Sequence, residues 1–145
     1  MKAKVSTSII AFLFLSVSLF SQSNAGRDTK ISKDDNGYTT KESIQYQRTK
    51  AVSKIVYLYD PADRLIERIA YLSEYGTKWI PVQKYKYEYT ADGKIANIIC
   101  TKWDQEQKAW AGKSQCIAHS YGNKSTIVRQ MTIDTKDYNL LTMNK

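Results

Sequence analysis

From residue 44 onward, apolar and polar residues alternate along most of the chain, and the alternation breaks at short turn clusters. That period marks strands with one side toward water. It predicts strands over residues 45–50, 53–59, 64–74, 79–89, 94–103, 109–121 and 125–134. Between Ala62 and Glu74, Leu65, Ile66, Ile69 and Leu72 also fall at helical spacing. Residues 26–43, beginning Gly26-Arg27-Asp28, are polar and charged without period. They predict a mobile N-terminal arm, with order starting near Ile44-Gln45-Tyr46. Residues 135–145 read as a C-terminal tail.

A weak internal repeat decides the ambiguous segment. Lys54-Ile55-Val56-Tyr57-Leu58-Tyr59-Asp60-Pro61-Ala62-Asp63-Arg64-Leu65 aligns with Lys84-Tyr85-Lys86-Tyr87-Glu88-Tyr89-Thr90-Ala91-Asp92-Gly93-Lys94-Ile95, 30 residues later. A third, eroded copy keeps Tyr121-Gly122-Asn123-Lys124. Each unit is a strand, a tight turn, a second strand and a connection carrying Trp, so residues 64–74 are read as strand. The turns have chemistry of their own. Asp60-Pro61 suits the first two positions of a type I turn, and Gly93 supplies the left-handed position of a bulged hairpin.

Parity sorts the faces. From Trp79 to Tyr89, one side carries Trp79, Tyr85, Tyr87 and Tyr89; the other carries Ile80, Val82, Lys84, Lys86 and Glu88. Neither side is apolar throughout. The expected fold is all-β: an antiparallel meander of repeated hairpins with about six or seven strands. It forms a single strongly twisted sheet, with curling into a partial barrel or small sandwich as the alternatives. The domain spans residues 44–134.

The Tyr-Xaa-Tyr-Asp/Thr motif, followed by a turn and a basic–aliphatic pair and recurring with a Trp connection, resembles a family of small secreted bacterial proteins. That family is grouped as a domain of unknown function. A more distant likeness is to the tyrosine–aspartate hairpin repeats of large secreted shell proteins. The resemblance covers residues 54–131. It implies a repeat-hairpin fold in a secreted protein and no assigned activity.

Composition fits export. Met1-Lys2-Ala3-Lys4 is a positive n-region, Ile9–Phe20 an apolar core, and Ser23-Asn24-Ala25 a small-residue cleavage site. The product is expected to be periplasmic or extracellular, with no transmembrane segment after cleavage near Ala25. Losing Lys2 and Lys4 lowers the net charge from +8 to +6. All three phenylalanines (Phe12, Phe14 and Phe20) go with the leader, whereas all 11 Tyr and 3 Trp stay. Tyr and Trp bury apolar area while keeping one atom wet, which suits a sheet with half-wet faces.

Cys100 and Cys116 are the only cysteines. Export favours a disulfide. Pairing Trp103 with Trp110 across a hairpin would put the two sulfurs on opposite faces, where they cannot bond. A shifted register or a bulge would bring them together, so the bond stays open. Two Cys and one His offer no metal cluster, and no cofactor motif is present. His119 lies three residues after Cys116, on the other side of a strand, which disfavours a Cys–His nucleophile. Asp60/Asp63 and Asp104/Glu106 fall in turns, where Asp shapes backbone. No catalytic residue is assigned, and the chain is not read as an enzyme.

The Tyr85/Tyr87/Tyr89 row has two readings. It is cross-strand packing, or it is an aromatic platform for sugar rings edged by Trp79, Trp103 or Trp110. The reading preferred here is a non-catalytic secreted interaction or structural module with a protein or surface partner. A glycan-binding module taking a polysaccharide is the alternative, and a small enzyme the third. Export and modest charge argue against nucleic acid.

Overall fold

The computed structural model describes residues 26–136. The expected leader and most of the expected tail lie outside them. Among the described residues there are nine strands: β1 (Arg27–Lys33), β2 (Thr39–Gln47), β3 (Lys50–Tyr59), β4 (Leu65–Glu74), β5 (Lys78–Tyr89), β6 (Ile95–Asp104), β7 (Ala109–Trp110), β8 (Lys113–Tyr121) and β9 (Thr126–Asp134). They form one antiparallel meander in chain order, with β7 set beside β6 ahead of β8. β1 and β9 are the two edges, so the sheet is open rather than a barrel or sandwich. Residues 65–74 are strand, as the repeat required.

Three hairpin turns share one hydrogen-bond scheme. Asp34, Asp60 and Thr90 each stand first. Their backbone N–H groups donate to the carbonyls of Tyr38, Arg64 and Lys94 at 2.9, 2.9 and 2.8 Å. Their side-chain oxygens accept the N–H of the same three residues, at 2.8, 2.9 and 3.0 Å. The fourth positions, Gly37, Asp63 and Gly93, have φ of 86°, 60° and 82°. Gly takes that conformation freely and Asp tolerates it. Asp60 is consumed by its turn. Its Oδ1 also accepts from Ala62 N–H, and its Oδ2 takes Arg64 Nε and Nη2 at 2.7 Å each.

The first of these turns lies in the segment expected to be a mobile arm. That expectation is corrected: β1 and the first five residues of β2 lie within residues 26–43, and the two strands are joined in unbroken register from Arg27↔Gln45 to Lys33↔Thr39. Every residue of β1 is exposed. Ladder hydrogen bonds and the Asp34 turn hold it, and apolar burial does not. Hydropathy is blind to such a strand, although Asp34-Asp35-Asn36-Gly37 is a turn signal in its own right.

Bulges set which side chains share a face. Between β4 and β5 the register passes from Ala70↔Gln83 to Tyr71↔Pro81, leaving Val82 unpaired. Pro81 has no N–H for a ladder bond, and bulges are where proline is tolerated in a sheet. The extra residue moves Trp79 to the face opposite Tyr85, which overturns the simple parity count. Trp103 does pair with Trp110. Ala111 and Gly112 then intervene before Ile99↔Cys116 and Cys100↔Gln115. Two extra residues preserve parity, so Cys100 and Cys116 stand on opposite faces, and both are free thiols. The disulfide left open by the sequence does not form within the chain.

Among the described residues, no second layer covers either face. Ile99 and Cys116 are the only buried apolar residues among those described, at 5% and 4% exposure. Beside them the buried hydroxyls of Thr101 and Ser114 lie 2.7 Å apart, and Ser114 reaches Thr135 at 2.9 Å. Thr135 donates from its hydroxyl to Ala111 O and from its N–H to Gly112 O, pinning the insertion between β7 and β8.

The turns make the fold acid-sensitive. Arg64 holds the Asp60 carboxyl below its usual range, and Lys94 with Thr90 lowers that of Asp92 to about 2. A depressed carboxylate stabilises the fold above its unfolded pKa, and that stabilisation is lost as pH falls through the folded one. Urea midpoints should therefore fall between pH about 4 and about 2. Asp60→Asn and Asp92→Asn should each flatten that dependence.

Candidate functional site

Cross-strand pairing builds two chemically distinct faces. On the first, Tyr57, Arg68, Tyr85 and Cys100 form one row across β3 to β6. Tyr87 stands opposite Ile98, and Ile98 opposite Ile117. The Arg68 guanidinium lies 5.4 Å from the centre of the Tyr85 ring, and Arg64 lies 5.1 Å from that of Tyr89. Such cation–π contacts contribute about 0.5–1 kcal/mol each at exposed sites. Tyr85, Tyr87 and Tyr89 are all half-buried. Burial raises the pKa of each phenol, and Arg68 or Arg64 partly opposes it.

Two tyrosines do more than pack. Tyr89 Oη donates to Leu65 O at 2.8 Å, and Tyr121 Oη donates to Ile95 O at 2.7 Å. Leu65 and Ile95 are the first residues of β4 and β6, immediately after the Asp60 and Thr90 turns. Arg64 covers Tyr89, and Lys94 covers Tyr121 at 5.1 Å. The same clamp is thus made twice. A tyrosine ending one strand fastens to the hairpin turn before it, with that turn's basic residue over its ring. Tyr89 is committed to this clamp by both its ring and its hydroxyl.

The opposite face carries the tryptophans. Lys54 Nζ lies 4.9 Å from the centre of the Tyr71 ring and 5.3 Å from that of Trp79. Lys84 Nζ lies 4.6 Å from that of Trp110. Trp103 and Trp110 meet edge to face, 5.2 Å apart at 82°. The six residues read as one platform are therefore divided: Tyr85, Tyr87 and Tyr89 on one face, and Trp79, Trp103 and Trp110 on the other. Sequence reading missed Lys54, Tyr71, Lys84, Arg64 and Arg68 as their partners. Those contacts span strands, and only the register reveals them.

His119 is half-buried, stacked on Tyr121 at 6.4 Å, and its buried Nδ1 has no hydrogen-bond partner. It shares no face with Cys116, because the two pair with Val128 and Met131, an odd number of residues apart. Burial and the nearby Glu88 push the Cys116 thiol up from its ordinary value, away from thiolate. Asp104 Oδ1 accepts the N–H groups of Glu106 and Gln107, a turn role. Among the described residues, no three His, Cys, Asp or Glu side chains are placed to hold a metal ion. No helix among them is long and apolar enough to cross a membrane.

Two solved structures similar to this chain are DUF3836 family proteins. A crystal structure of one, from Bacteroides vulgatus, is 22% identical and covers 57% of this chain and 84% of its own, with a TM-score of 0.46. Another, from Parabacteroides distasonis, is 18% identical and covers 80% and 98%, with a TM-score of 0.31. No protein-family model matches the sequence, and no curated protein matches it significantly.

The clamps predict a paired outcome. Tyr89→Phe and Tyr121→Phe keep the ring and delete the hydrogen bond, so each should lower unfolding free energy by about 0.5–1.5 kcal/mol. Urea denaturation of the two variants checks this. The raised phenols predict alkaline instability. Tyr71, Tyr85, Tyr87 and Tyr89 favour the neutral form when folded. Their contribution is whole below pH about 10 and is lost as pH rises through the raised values. A fall of the urea midpoint above pH 10, alongside the ultraviolet titration of tyrosinate, is the expected result.

Proposed function

We propose that this chain is an exported, non-catalytic interaction module whose working surface is the uncovered sheet. One observation carries the reading. Among the described residues the sheet is a single layer, with half-buried aromatic and basic side chains where a globular domain would place a second layer. Nucleophile, general base and oxyanion donors need a concave site to converge on a reacting atom, and an open sheet spreads its side chains apart instead.

A second reading has its own support. Tyr85 and Tyr87 stand side by side on the open face with Arg68 against them, while Tyr89 is tied to its clamp. Two neighbouring tyrosine rings suit stacking on the apolar faces of sugar rings, and the guanidinium suits an acidic group on a polysaccharide.

The test is retention of residues 26–145 on a panel of immobilised polysaccharides and peptidoglycan, with the eluate assayed for released sugars. Retention without release is the expected result. A folded Tyr85→Ala/Tyr87→Ala variant that no longer binds assigns the contact to the tyrosine face. A variant that still binds moves it elsewhere on the sheet. Released sugar would make the protein an enzyme and overturn the reading. A chain that binds no matrix and no second copy would overturn it as well.

A further inference from the structure

The two edges of the sheet are built differently. β1 reads Arg27-Asp28-Thr29-Lys30-Ile31-Ser32-Lys33, with three basic residues against one acidic in seven positions. Lysine along an edge is a common defence against pairing with another chain. β9 reads Thr126-Ile127-Val128-Arg129-Gln130-Met131-Thr132-Ile133-Asp134, and its two charges cancel. It has no lysine or proline. It pairs with β8 over nine consecutive residues, Thr126 to Asp134, without a bulge. Ile127, Val128 and Met131 are 50%, 55% and 41% exposed. This is a long, unbulged, apolar edge whose outer backbone groups have no partner strand among the described residues.

We infer that β9 pairs antiparallel with β9 of a second copy, centred on Gln130, giving a closed dimer with one continuous sheet. The inference rests on the interaction reading above and names one partner for it. An isologous antiparallel pair across a two-fold axis must join like faces, which allows only registers centred on a residue. Centring on Arg129 sets two guanidinium groups directly opposite, which is unfavourable. Centring on Met131 shortens the ladder and sets Arg129 against Ile133. Centring on Gln130 alone pairs all nine residues. It places Ile127 against Ile133 twice, Val128 against Thr132, and Gln130 against itself. The charge balance selects the same edge. Copies of a basic chain repel, but β9 meets β9 with no net charge, whereas β1 against β1 would bring two cationic edges together. Each copy's β9 edge is consumed in the pair and only the lysine-bearing β1 edges remain, so assembly stops at two.

Sedimentation velocity of residues 26–145 should show a species of twice the chain mass that dissociates on dilution. Gln130→Lys sets two ammonium groups opposite each other across the axis and should raise the dimer Kd about tenfold. Its circular dichroism should be unchanged, because position 130 is exposed in the monomer. Thr29→Lys on β1 is the matched control and should leave the dimer intact. Gln130→Cys should cross-link two chains on air oxidation, as a band removed by reductant. A wild type that stays monomeric at all concentrations overturns the inference, as does a mass that grows without limit or a dimer indifferent to Gln130→Lys. A monomer still retained on a polysaccharide matrix overturns only the dimer and leaves the interaction reading standing. A monomer retained on none removes both.

Discussion

The tyrosine clamp is the contact on which the rest of this sheet leans. Tyr89 and Tyr121 each close a strand and reach sideways to the carbonyl just past the preceding turn, while Arg64 and Lys94 lie over their rings. In a layered domain, apolar surface from a second element would hold adjacent hairpins together. Among the described residues no second layer exists, so hairpin is tied to hairpin within the plane. A phenol does this with one side chain. Its ring covers the neighbouring strand, and its hydroxyl satisfies a carbonyl left by the turn.

That constraint explains the composition. Phenylalanine would cover strand without bonding across it, and the described chain has none. Tyrosine and tryptophan with basic partners give each open face a surface that tolerates water. Lys54 with Tyr71 and Trp79, and Lys84 with Trp110, stabilise the second face as Arg64 and Arg68 do the first. Buried polar groups follow the same economy. Thr101, Ser114 and Thr135 satisfy one another and the two carbonyls of the Ala111-Gly112 insertion, so the widest irregularity in the ladder carries few unpaired groups.

The same architecture bears on function. A sheet that spends its aromatic residues on holding itself together still displays them in part, because among the described residues only single basic side chains, and no second layer, lie over them. Under the proposed interaction reading, binding surface and structural surface are the same atoms. Tyr89 belongs to the clamp, whereas Tyr85 and Tyr87 lie half-buried beside it with no such tie to a turn. The edges divide the labour differently: β1 is charged and guarded, and β9 is neutral and open.

Much of this was written in local sequence. Alternation and the repeat located β3 to β6, the turn residues located their hairpins, and the two tryptophans set the β6–β7 register, because each of these signals acts over a few neighbouring residues. What lay beyond sequence was whatever a bulge or a missing layer decides. Val82 beside Pro81 turned Trp79 away from the tyrosines, since one unpaired residue inverts every side chain beyond it. The β1–β2 hairpin escaped notice because backbone ladders leave no mark in hydropathy. Ala111 and Gly112 kept the cysteines apart because an even insertion preserves parity. The sequence determined strands, turns and a need for aromatic cement. The tertiary structure decided which aromatic residue faces which cation, because that pairing depends on register summed across the whole sheet.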